Sequence, residues 1–231
     1  AMDLGTGDGS QAQAINNLGQ IVGGLNNPSR GFIYSAGAVT PIPTFGGDRA
    51  YATAINDKGQ VVGGSNLAVG EPTHPFLYSN GSLTDLGLLP GYVGGAAAGI
   101  NQNGDIVGFL QAPLEPGGGV FPRQRAFLYH DGVMSDLGLP DLPFLYNSSA
   151  ATSINDRGQI VGYLSNLPNG AFLYEDGHMY DLQKLLPASS PWTISDGAMI
   201  NDSGQIVVEA VDRPGDYHGL LLTPATAPAA A

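Results

Sequence analysis

The sequence predicts an all-β fold: a five-bladed β-propeller of four-stranded antiparallel blades, its ring closed by the amino-terminal strand completing the carboxy-terminal blade. Three observations predict it. One phrase recurs five times, as "AINNLGQIVG" at Asn16, "AINDKGQVVG" at Asn56, "GINQNGDIVG" at Asn101, "SINDRGQIVG" at Asn155 and "MINDSGQIVV" at Asn201, with spacings of 40, 45, 54 and 46 residues. Repeats of this size mark solenoids or propellers. The 231 residues include 35 Gly and 17 Pro with only 12% charged residues, which suits short strands joined by tight turns. The chain also opens on "MDLG", a phrase that ends other repeats, and finishes one such phrase short.

Each period has an inner order. The Asn phrase is followed by "GFIYSAG" from Gly31, "PFLYSNG" from Pro75, "AFLYHDG" from Ala126, "AFLYEDG" from Ala171 and a degenerate "GLLLTP" from Gly219. A third phrase follows, "LTDLG" ending at Gly87, "MSDLG" ending at Gly138 and "MYDLQ" ending at Gln183, with "VTPIP" in the first repeat. In the second repeat "YATAI" alternates, "NDKG" breaks, "QVVGGS" is β-branched, "PFLYS" is apolar, "NG" breaks again and "SLTDLG" alternates. These are four strands, a to d.

The loop N-D-x-G between a and b fits a type I turn with a left-handed last position. Asn bonds its own backbone two residues on, and Gly19, Gly59, Gly104, Gly158 and Gly204 supply positive φ. A calcium loop is the rival reading; it would need D-x-[DN]-x-[DN]-G, and Asn17 and Gln102 stand where an Asp is required. No cofactor is expected, with calcium as the only candidate. Small residues on strand a (Ala12 and Ala14, Ala52 and Ala54, Ala97 and Gly99, Ala151 and Ser153) suit crowding at a narrow axis. "MDLG" at the start and the strand "LLLTP" without a successor at the end are expected to complete one blade between them.

Residues 1–224 read as one domain, long enough to bury roughly 70% of its unfolded surface, and residues 225–231 as a Pro/Ala-rich linker stub. The net charge of −12, from 20 acidic and 8 basic residues, argues against nucleic acid and against anionic membranes. No apolar run approaches the roughly 18–20 residues that span a bilayer, and no leader pattern opens the chain. With no cysteine there is neither a disulfide nor a thiolate metal site. A closed ring is expected to be monomeric.

The chain resembles the extracellular HAF repeat family, whose units read as an "AFLY" strand, then "DLG", then "AxxINDxGQxVG". The match is carried by Pro75 to Tyr78, Ala126 to Tyr129 and Ala171 to Tyr174, together with the "IN" turns and "DLG" phrases, and covers nearly the whole chain. Arg30, Arg125 and Gly170 stand where the name-giving His is expected; His is kept at His74 and His218. The resemblance implies a bacterial, secreted or cell-surface location and no defined activity.

A site is expected on the face built by the variable b–c and d–a connections. Arg30, His74, Arg125 and His218 share one repeat position and form a partial ring of donors suited to a carboxylate or sugar hydroxyls, unless each merely ties its loop to the neighbouring blade. Tyr92, Tyr146, Trp192 and Tyr217 are large aromatics in variable loops and could stack on a sugar ring or pack between blades. Lectin-like binding of a glycan or cell-surface polymer is therefore the first reading. The second is a polysaccharide hydrolase or lyase using Glu71, Asp212, Asp216 and His218, should those loops converge. A structural spacer without a ligand is the third. No G-x-S-x-G, H-E-x-x-H or P-loop is present, and the Asp of "DLG" (Asp3, Asp85, Asp136, Asp181) reads as a strand-end hydrogen-bonder.

Overall fold

Alternating short strands and Gly turns form five antiparallel sheets in chain order. The structure is a computed structural model that describes residues 3–114, 122–140, 147–165 and 170–225. Sheet one holds β1 (Gln11–Ile15), β2 (Ile21–Asn26), β3 (Ser29–Ser35) and β4 (Ala38–Pro41), and sheet two β5 (Ala50–Ile55), β6 (Val61–Asn66), β7 (Thr73–Ser79) and β8 (Ser82–Asp85). Sheet three holds β9 (Gly94–Ile100), β10 (Ile106–Gln111), β11 (Gln124–His130) and β12 (Val133–Asp136); sheet four holds β13 (Ser148–Ile154), β14 (Ile160–Ser165), β15 (Gly170–Glu175) and β16 (His178–Asp181). Sheet five has three strands, β17 (Thr193–Ile200), β18 (Ile206–Val211) and β19 (Tyr217–Leu222). Each sheet is a meander, and each is one blade.

The a–b turn forms as its residues dictate. Asn16, Asn56, Asn155 and Asn201 each accept from the amide two residues on at 3.1 Å, and the closing glycines have φ of 74°, 72°, 100°, 79° and 78°. Gly158→Val is therefore expected to cost roughly 1–3 kcal/mol, because a β-branched residue strains at positive φ. Chemical denaturation checks it: a midpoint equal to the parent's contradicts the turn.

Blades stack face to face. Strand b of each blade lies against strand a of the next, β2 on β5, β6 on β9, β10 on β13 and β14 on β17. One sequence pattern builds all four interfaces. The valine of strand b, fully buried as Val22, Val62, Val107 and Val161, packs beside the Ile or Leu of its own strand c against the next blade. That next blade presents Phe76, Phe127 or Phe172 from strand c, and Leu220 in blade five. The leucine of "DLG" (Leu86, Leu137, Leu182) seals the interface, and Ile42 of the divergent "VTPIP" does so in blade one.

Two features depart from expectation. Residues 3–10 carry no strand and sheet five has no fourth strand among the described residues, so the predicted closure is not formed there; Met2 lies outside them. Among the described residues no packing of β18 on β1 comparable to the other blade contacts joins the two ends. The turn of a strand-d exit is nonetheless present at the start of the chain: the Gly5 amide donates to Asp3 Oδ1 at 2.9 Å with φ of 69°, as Gly87 does to Asp85 and Gly138 to Asp136. Second, a one-turn helix α1 (Leu182–Leu185) follows β16, where "DLQ" replaces "DLG"; Asp181 accepts from the Gln183 amide and caps it.

Candidate functional site

The a–b hairpins, with the c–d hairpins of blades one to four, occupy one end of the blades, and the b–c and d–a connections occupy the other. Asn66, 3% exposed, anchors the first d–a connection to strand b of blade two. Its Nδ2 donates to Asp48 Oδ1 at 2.7 Å and to Ala68 O at 2.8 Å, while its Oδ1 accepts from the Arg49 amide at 2.9 Å. The Asn66 amide holds the Asp48 carboxyl below the usual carboxylate range. Between blades three and four, Ser148 and Ser149 of β13 accept from the Gln124 and Ala126 amides of β11 at 3.0 and 3.1 Å. A rigid frame therefore underlies the variable loops.

The expected ring of donors is largely consumed by that frame. Arg30 Nη1 donates to Asp48 O at 2.8 Å and Arg125 Nη1 to Asn147 O at 2.6 Å, each tying strand c to the following d–a connection. His74 Nδ1 lies 3.0 Å from Asp85 Oδ2 at the end of strand d in its own blade. Tyr92 packs between blades two and three and donates to Asp136 Oδ2 at 3.0 Å; burial, and then that bond, push its hydroxyl up to about 12. Asp3, Asp85, Asp136 and Asp181 each accept from the amide two residues on, and the last three stand at strand ends. Tyr146 lies outside the described residues.

One group of expected residues does come together, at the loop end of blade five. The rings of Trp192 and His218 meet edge to face, centroids 4.9 Å apart at 66°. His218 Nε2 is 3.4 Å from Asp212 Oδ2, and the His218 side chain is 42% exposed. Asp212 also caps the turn that carries it, its Oδ1 accepting from the Gly215 and Asp216 amides at 3.0 Å. The Asp216 amide, then Gly215 and His218, hold the Asp212 carboxyl below the usual range, which keeps it ionised at neutral pH. Gln183, from α1, fixes the Trp192 segment by donating to Trp192 O at 3.2 Å and accepting from the Ile194 amide at 2.8 Å. Sequence reasoning missed Gln183; its departure from the glycine of "DLG" was the available signal.

The other candidates stand apart. Tyr217 pairs with Val211 and His218 with Ala210, so alternation sends Tyr217 to the opposite sheet face. Glu71 is in the b–c loop of blade two, and among the described residues no hydrogen bond or ion pair joins it to Asp212, Asp216 or His218. No group of three or more His, Cys, Asp or Glu suited to a metal occurs among the described residues.

Blade three carries a separate pair on the hairpin face. His130 Nδ1 bonds Asp105 Oδ1, and that bond, followed by the charges of Asp105 and Asp131, raises the His130 pKa above 6.5. A raised folded value means stabilisation that is complete below the unfolded pKa and lost as pH rises through the folded one. NMR titration is expected to find His130 above its ordinary value in the parent and back near it in Asp105→Asn; an unchanged value in that variant contradicts the pairing.

No curated protein matches the chain. Among solved structures it is similar to the β-propeller domain of the Trilobed protease from Pyrococcus furiosus, described as having an open velcro topology, at 12% identity and a TM-score of 0.53 over 87% of this chain and 60% of that one. It is similar also to the Pyrococcus horikoshii acylaminoacyl peptidase, at 14% identity and 0.51 over 94% of this chain and 32% of that one. The chain thus spans less than two thirds of either relative, and at these identities the likeness shows the propeller fold alone. A family model matches residues 91–221, more than half of the chain. Five meander blades built on one repeat, with propeller neighbours and that match, place the chain in the family described as Protein of unknown function (DUF3466).

Proposed function

We propose that this chain is a secreted or cell-surface binding module that recognises a neutral carbohydrate at the loop end of blade five. The observation that carries the reading is the Trp192–His218 pair with Asp212 beside it. A partly exposed indole offers a flat apolar surface to the C–H face of a sugar ring, and His218 with the ionised Asp212 offers a donor and an acceptor to ring hydroxyls. The net charge of −12 disfavours an anionic polymer, since its approach is opposed by the field of the whole chain. The extracellular location rests on the resemblance to HAF repeats.

The test is an array of neutral and acidic oligosaccharides probed with the labelled chain, alongside a reducing-sugar release assay on the same glycans. Retention of one neutral class without sugar release is expected. Release of reducing ends replaces binding with catalysis, and retention of nothing leaves a structural array.

A further inference from the structure

On the face that each blade turns to the next, the second residue beyond the buried strand-b valine is one position of the repeat. Gly24, Gly64, Phe109 and Tyr163 follow Val22, Val62, Val107 and Val161 there. Their cross-strand partners are Gln11, Tyr51, Ala96 and Ala150 in strand a, and Gly31, Pro75, Ala126 and Ala171 in strand c. Blades two, three and four each carry one aromatic ring in this row. Phe109 and Tyr163 supply it from strand b. In blade two Tyr51 supplies it by lying over the glycine: a Cβ at Gly64 would stand 2.8 Å from the Tyr51 hydroxyl and 3.2 Å from Ala96 Cβ of blade three. The row of blade one, Gln11, Gly24 and Gly31, has no ring.

Between blades one and two a cavity of about 390 Å³ lies at that position, within the range of small-ligand sites. A Cβ at Gly24 would meet only Tyr51 Cβ, at 4.0 Å, whereas one at Gly31 would touch Ala52 N and Ile42 Cδ1 at 3.2 and 3.3 Å. The space therefore lies over Gly24. Ala50, Tyr51 and Ala52 of blade two form one wall, and Gln11, Gln13 and Asn26 of blade one bring carboxamides to the other. Among the described residues no charged side chain lines it. The same row shows how this fold meets a phenol: Tyr163 is half-buried, and its hydroxyl donates to the carboxamide oxygen of Gln124 at 2.9 Å.

We propose that the cavity between blades one and two binds a neutral phenol-type ring, which takes the place that Tyr51, Phe109 and Tyr163 fill in the other three rows. The ring packs between Gly24 and the wall of Ala50 and Ala52, where burial of its apolar faces supplies the affinity. Its hydroxyl exchanges hydrogen bonds with the carboxamides of Gln11, Gln13 and Asn26, as Tyr163 does with Gln124. The uncharged lining suits a phenol and leaves a phenolate or a benzoate without a counter-charge. This site is separate from the loop end of blade five and does not depend on the reading given to it. A free phenol and the tyrosyl side chain of a peptide share the chemistry, and two probes separate them.

Calorimetric titration with p-cresol, toluene and N-acetyl-tyrosinamide tests the assignment. The parent is expected to bind one p-cresol per chain saturably, and toluene about tenfold more weakly for want of the hydroxyl. Gly24→Phe supplies from strand b the ring that Phe109 supplies in blade three; it is expected to abolish p-cresol binding and to melt no lower than the parent. Gly24→Leu, with a smaller side chain at the same position, is expected to weaken binding in the same direction. N-acetyl-tyrosinamide bound more tightly than p-cresol assigns the ring to a peptide, and bound more weakly assigns it to a free phenol. Undiminished p-cresol binding in Gly24→Phe and Gly24→Leu overturns the proposal. So does a parent that binds neither phenol, or one that binds toluene as tightly as p-cresol.

Discussion

Gly162→Ala is expected to destabilise the chain by about 3 kcal/mol or more, a large part of a typical domain's stability. The cause is a single methyl group. A Cβ at Gly162 would lie 2.0 Å from Ala150 O, 2.8 Å from Ala151 Cα and 2.7 Å from Phe172 Cε1. Strand a bulges here, its register passing from Ala151↔Gly162 to Ser153↔Val161, and this brings its backbone onto the glycine. Gly23, Gly63 and Gly108 meet the same obstruction at 1.9, 1.9 and 2.1 Å. The fifth repeat explains the rule by breaking it: Val208 stands in place of the glycine, its register partner is Leu220 where the others have Phe, and β17 carries two register shifts rather than one. Phe172→Leu is thus expected to recover part of the loss, the clash with Ala150 O remaining. Gly24→Ala is the control, since its Cβ would meet only Tyr51 Cβ at 4.0 Å. Equal denaturation midpoints for Gly162→Ala and Gly24→Ala contradict this packing.

Asn101→Ala is expected to cost about 2–4 kcal/mol, because it leaves buried groups of two blades without partners. Asn101 is 3% exposed; its Nδ2 donates to Asn155 O at 3.1 Å and Asp105 Oδ2 at 2.9 Å, and its Oδ1 accepts from the Gly104 and Asp105 amides at 3.0 and 2.9 Å. Asn101→Asp preserves the shape but turns a carboxylate oxygen toward both acceptors, so it is expected to be at least as damaging at neutral pH and milder in acid. Asn201 makes its hydrogen bonds within its own turn and none to another blade among the described residues, so Asn201→Ala is expected to lose only turn bonds, about 1 kcal/mol. Paired melts read the difference; equal losses at the two positions contradict an inter-blade role for Asn.

These two residues mark where legibility stopped. The Asn-x-x-Gly turn was readable because positive φ and an Asx bond are local demands, and strands a to d followed from alternation between such turns. That the same Asn side chain also bridges blades was not readable, since a residue serving both tasks recurs no differently from one serving the first alone. For Arg30 and Arg125 the sequence offers both a donor for a ligand and a tie between loop and neighbouring blade; the tie is the one formed, to main-chain oxygens of Asp48 and Asn147, whose positions depend on loop paths that no residue type reveals. Tyr217 and His218 are adjacent in sequence and were grouped together, but strand alternation separates them. Trp192 was recognised as a loop aromatic, whereas its contact with His218 depends on α1, which the repeat pattern did not predict.

The chain has one tryptophan, and Trp192 lies in the proposed site, so its intrinsic fluorescence reports occupancy there without a label. Titration with neutral oligosaccharides is expected to give a saturable change in the emission of the parent. The change should disappear in His218→Ala and persist in Lys58→Ala, which alters only the hairpin face, while all three proteins melt alike. A glycan that is retained by the chain yet leaves the Trp192 emission unchanged, or whose binding is lost with Lys58→Ala, contradicts a binding site at the loop end of blade five.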